Sequence, residues 1–201
     1  LRFVVRRQDR FLESVYAFRL GRGLTEDFDS FLTGFPRGCF DWNKITAALE
    51  AHQLAANSRI FVMDNCAGRA LGEQLAALVG LEAAGLKLGG SGNKSLPAAS
   101  LPLLLAVNRA GVMPDLRARK KALLPLLRKS AVPGKEAASD IQVLAPLFGA
   151  AEMQKLEAFY NPEELVGFSA ASRRDFLCPY EAANHQFLTR APVSGVEAVI
   201  W

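Results

Sequence analysis

Arg6, Ser14 and Lys94 are the side chains in this sequence whose types and positions suit the capture of a phosphate. Arg6 follows the apolar run LRFVV, and Ser14 lies eight residues further on, inside VVRRQDRFLESVYAFRL. A guanidinium offers a rigid fork of donors to two phosphate oxygens, and a neighbouring hydroxyl adds another hydrogen bond. Lys94 sits in LKLGGSGNKSLP, where glycines let the backbone approach an anion closely. Each has a plain structural reading as well. Arg6 then pairs with Asp9 or Glu13, Ser14 faces solvent, and Asn93, Lys94 and Ser95 form a surface loop whose serine caps the next helix.

The remaining reactive types point to no second chemistry. His52 and His185 are the two histidines, and each reads as an ordinary surface or satisfied side chain at the end of, or along, a helix. Neither has a cysteine or carboxylate at metal-ligand spacing, so no metal is expected. Asp64 and Asn65 close an apolar run and read as a polar strand terminus. Arg173 and Arg174 read as solvated. Cys39, Cys66 and Cys178 are far apart and odd in number, which fits reduced thiols in a cytoplasmic protein.

To bring Arg6 and Ser14 to one point, the chain needs a strand that ends at Arg6 and a helix that starts at once. The sequence supplies both. LRFVV reads as a buried strand, and residues 8 to 20 as a helix with Phe11, Leu12, Val15, Tyr16 and Phe18 on a broad apolar side. GRG at 21 to 23 stops that helix. A short helix is expected around 26 to 33, then one from 42 to about 54 with Asp41 as its N-cap. RIFVM reads as a second strand, followed by a helix over 69 to 79. From 97 onwards the pattern is helical, with segments at 98 to 110, 114 to 130, 137 to 148, 151 to 159 and 170 to 190, the last interrupted by Pro179. The final VEAVIW reads as a short strand or an appended remnant. Strands early and helices late predict an α/β fold, a small parallel sheet with a predominantly helical C-terminal part.

The opening segment resembles the element of sulfotransferases that grips the 3′-phosphate of the sulfate donor, 3′-phosphoadenosine-5′-phosphosulfate (PAPS). Arg6 and Ser14 fall on that family's arginine and serine, and RRQDxxLES is similar to the wording of bacterial sulfotransferase-like proteins. DFDSFL, FDWNKI, NSRIFVMD, GNKSL and RRDFLCPYEAANHQFL follow in the order in which similar pieces occur there. The resemblance implies a P-loop NTPase-like sulfotransferase fold, PAPS as donor, and a saccharide or other hydroxyl acceptor. It covers Asn93, Ser95 and Leu96 but not Lys94; because the family's Arg-Lys-Gly element is not found, either Lys94 or the pair Arg173 and Arg174 is a candidate for a second cationic contact, or that contact is lost. The family's glycine-containing phosphosulfate loop is not found either. The chain is therefore expected to be the latter part of one longer sulfotransferase-like domain spanning 1 to 201, with the first strand and loop ahead of it.

Length and charge narrow the classes further. The chain has 201 residues, half of them apolar and 22% charged, which is enough to bury a core. No apolar run approaches the ~20 residues that cross a bilayer. The net charge of +4 is concentrated: residues 1 to 22 hold six arginines against two acids, and residues 117 to 129 hold six cations and no acid. The first cluster suits an anionic nucleotide, while nucleic acid is not an expected partner. The second reads as a solvated helix face, with an anionic acceptor or a membrane surface as the sharper use. Two other functions remain open at this point: a different P-loop transferase or kinase, and a non-enzymatic helical adaptor at a membrane surface.

Overall fold

The computed structural model describes residues 2–62, 73, 76, 80–81, 96–130, 140–190 and 193–194. In order these form β1 (Arg2–Val5), α1 (Gln8–Leu20), α2 (Phe28–Thr33), α3 (Asn43–Ala51) and β2 (Arg59–Val62). There follow α4 (Leu101–Ala110), α5 (Leu116–Ala118), a π-helical stretch (Arg119–Leu123) and α6 (Leu124–Ser130). α7 (Ala150–Phe159), α8 (Ala170–Leu177), α9 (Glu181–Arg190) and β3 (Val193–Ser194) complete the list. The protein is thus mostly helical with a small parallel sheet. Two compact units share the chain: Leu1–Phe11, Pro36–Gly92 and Ala170–Trp201 make the first, and Leu12–Phe35 with Asn93–Ser169 the second.

In the first unit β2 lies between β1 and β3, and both pairings are parallel, with Phe3 opposite Ile60 and Val5 opposite Val62. β1 is not the fully buried strand that its apolar run suggests. It alternates, with Val5 buried and Val4 half exposed, because one face packs and the other is left to solvent. Val5, Leu49, Ile60 and Phe187 form the core, with Phe3, Trp42, Ile45 and Leu188 packed around it. The N-cap of α3 is Trp42, not the expected Asp41, which stands one residue earlier and accepts from Asn43 N at 3.1 Å; Asn43 Nδ2 donates to Ala183 O of α9 at 2.8 Å.

The second unit is organised on α4, whose residues Leu101 to Asn108 are all buried. A helix that is apolar all round must be wrapped on every side. Pro102 is tolerated because the first turn has no hydrogen bond to lose, and Gly111 ends the helix in the left-handed region at φ 64°. α1 buries Leu12, Tyr16 and Leu20, four residues apart on one face, and leaves Phe18 59% exposed. Gly23 (φ 103°) supports the turn that stops this helix. Asp27 caps α2 through Ser30 N (2.7 Å), and Phe28 and Phe31 of α2 meet the Tyr16 ring at 5.1 Å each.

One expected helix is absent. Over 137 to 148 the described part is a single 3-10 turn, Ile141–Leu144, followed by further turns. Pro146 has no N–H to donate and its ring collides with a helical backbone, so Asp140 caps one short turn and no α-helix follows. Most of the helix expected over 69 to 79, and the final VEAVIW, lie outside the described residues. No described helix is long and apolar enough to cross a membrane.

Candidate functional site

The first unit concentrates its polar chemistry where β1 passes into α1. Val5 is fixed in the core, so the chain leaves the sheet at Arg6 and Arg7 and enters the helix at Gln8. Arg6 is half-buried at this carboxyl end of a parallel strand. Gln8 and Asp9 face inward and are fully buried, which the apolar pattern of the helix did not show.

Each of these two buried groups is matched by a partner far along the sequence. Gln8 Nε2 donates to Asn184 Oδ1 at 2.6 Å and to Phe40 O at 3.0 Å, and Asn184 Nδ2 donates back to Gln8 Oε1 at 3.1 Å. This reciprocal amide pair satisfies the buried groups and ties the start of α1 to α9. Arg7 grips Asp9 with two bonds, Nε to Oδ1 at 2.6 Å and Nη2 to Oδ2 at 2.9 Å. Arg173 Nη1 donates to the same carboxylate from α8. Burial pushes the Asp9 carboxyl upward, but the Arg7 bond and charge, the Arg10 amide and the Arg173 bond together hold it below its ordinary value. The carboxylate therefore stays ionised between two guanidinium groups, and the corner carries net positive charge.

This arrangement corrects one expectation. Arg7 pairs with Asp9, and Arg173 is not a solvated side chain but a second arm on the same carboxylate. Arg174 is exposed as expected, and His52, His185 and Cys178 are exposed as well. Ser14 is exposed on α1, in the part of that helix that belongs to the second unit. Lys94, with Asn93 and Ser95, lies outside the described residues, as do Asp64 and Asn65. Among the described residues no group of three or more His, Cys, Asp or Glu stands together to hold a metal.

The second unit has a shallow cleft of about 620 Å³, lined among others by Asp27, Asp29, Arg109, Tyr160, Glu163 and Glu164. Arg109 is spent within it, bonding both oxygens of Glu164 at 2.8 Å and Thr25 O at 3.1 Å. Four carboxylates against one cation make this cleft a poor receptor for a nucleotide phosphate. Sequence reasoning missed it because its lining comes from turns and helix ends with no shared period.

The long-range partners were invisible for the same reason: Asp9 and Arg173 are 164 residues apart, and Gln8 and Asn184 are 176 apart. No family model matches the chain, and no curated protein or solved structure shows a significant match to it.

Proposed function

We propose that this chain is part of a sulfotransferase-like protein, with a P-loop NTPase-like sulfotransferase fold, that moves a sulfuryl group from PAPS to a hydroxyl acceptor such as a saccharide. The observation that carries the reading is Arg6 at the carboxyl end of β1, in a parallel pair, immediately before a helix. Ligands of open α/β sheets gather at this edge. The surroundings suit a dianion, since Arg7 and Arg173 outnumber the single Asp9 beside them.

In this role Arg6 binds the nucleotide at its 3′-phosphate, away from the sulfur that reacts. Its contribution to rate is positional: binding energy from a remote group holds the donor for in-line attack by the acceptor oxygen. Arg7, Asp9 and Arg173 fix the corner from which Arg6 extends.

Isothermal calorimetry with adenosine 3′,5′-bisphosphate tests the assignment. A charge-assisted hydrogen bond contributes about 1.5–3 kcal/mol, so Arg6→Ala should weaken binding tenfold or more. Ser14→Ala and Lys94→Ala in the same titration test the other two residues that the sequence named. Unchanged affinity in Arg6→Ala overturns its role. Thermal stabilisation by ATP but not by the bisphosphate replaces the sulfotransferase reading with a kinase-like one.

A further inference from the structure

The second unit carries a basic surface that the proposed activity does not use. Arg117, Lys120, Lys121, Arg128 and Lys129 are all exposed along α5, the π-helical stretch and α6. The acid nearest in the sequence, Asp115, caps Ala118 N at 2.6 Å. The same stretch turns Leu123 and Leu127 fully inward and shows Leu116 to solvent at 46%.

One cation of the π-helical stretch faces the other way. Arg119 points into the unit, only 3% exposed, and its Nε donates to Met113 O while Nη1 donates to Asn108 Oδ1. Asn108 in turn donates to Leu20 O and Leu24 O, which flank the GRG turn. A carbon added at Gly23 would stand 4.0 Å from Arg119 Nη2. The buried arginine thus seats that turn beside the basic stretch, and the turn brings Arg22, whose guanidinium lies 4.4 Å over the exposed ring of Phe18.

We infer that this surface, Leu116 to Lys129 together with Phe18 and Arg22, docks the protein on a membrane rich in anionic lipid. Charge complementarity supplies the attraction, and the exposed hydrocarbon of Leu116 and Phe18 selects a lipid interface over a purely polar polyanion. The inference is independent of the donor-binding corner.

Sedimentation of the full chain with vesicles of phosphatidylcholine, alone or with about a third phosphatidylserine, tests it. Binding should need phosphatidylserine and fall as salt rises above ~0.1 M, where the screening length shrinks below about 10 Å. Each cation near such a surface contributes roughly fivefold, so Arg117→Gln, Lys120→Gln and Lys121→Gln combined should weaken binding about a hundredfold. None of the three holds a side-chain hydrogen bond or ion pair among the described residues, so circular dichroism of that variant should match the wild type. Leu116→Ser, tested separately, should weaken binding severalfold. Equal binding to neutral vesicles, undiminished binding by the triple variant, or capture by heparin without any binding to vesicles each overturns the inference.

Discussion

Asp9→Asn should destabilise the first unit by about 2–4 kcal/mol. The native carboxylate is fully buried and accepts three charge-assisted bonds, two from Arg7 and one from Arg173. Asparagine keeps the shape but presents an NH₂ group to a guanidinium, so one bond goes if the NH₂ takes the place of Oδ1 and two if it takes that of Oδ2. At about 1.5–3 kcal/mol each the gross loss is roughly 1.5–6 kcal/mol. Arg7 and Arg173 are 24% and 22% exposed and recover part of this by turning to water. Urea unfolding followed by tryptophan fluorescence, with Trp42 inside this unit, gives the free energy, and an unchanged m-value shows that the native state keeps its compactness. A double-mutant cycle with Arg173→Gln should show at least 1 kcal/mol of coupling. The same carboxylate sets an acid limit: its folded value is depressed, so its stabilisation is present above the ordinary carboxylate range. That stabilisation is lost as pH falls below about 4. A change under 0.5 kcal/mol in Asp9→Asn, or stability flat with pH down to 3, would refute the ion-pair reasoning.

Asn184→Ala strands the buried amide of Gln8 and should cost about 2 kcal/mol by the same denaturation, with no effect from an exposed neighbour such as His185→Ala. Leu104→Ala in the wrapped helix should cost about 2–5 kcal/mol and lower the thermal midpoint by several degrees. Asn108→Ala removes three hydrogen bonds at once, from Arg119 Nη1 and to the Leu20 and Leu24 carbonyls, although Arg119 keeps Met113 O and Leu20 O keeps Gly23 N. A loss near 3 kcal/mol by thermal or urea unfolding is expected, and one below 1 kcal/mol contradicts the buried network.

Local chemistry made much of the architecture legible. The apolar runs at 2 to 5 and 59 to 62 are strands, α1 starts and stops where its polar flanks and GRG turn require, and Pro179 breaks the last helix into two as expected. What local chemistry hides are outcomes that depend on distant partners. The π-helical stretch arises where Arg119 turns inward to Met113 and Asn108, which no period in RKKAL announces. Arg173 looks solvated until its partner Asp9 is seen. Of the residues named for phosphate capture, Arg6 stands at the expected strand end, Ser14 on the expected helix, and Lys94 lies outside the described residues.

The interleaving of the two units has a consequence for biosynthesis. The helices that supply Arg173 and Asn184 to the unit of Phe11 emerge from the ribosome only some 160 residues after it. At typical elongation rates this is a wait of roughly ten to thirty seconds. The segments of the other unit are all translated by Ser169. Its wrapped helix can be enclosed while β1 still lacks the far-off contacts that satisfy Gln8 and Asp9. Nascent-chain proteolysis should therefore find the second unit resistant before β1.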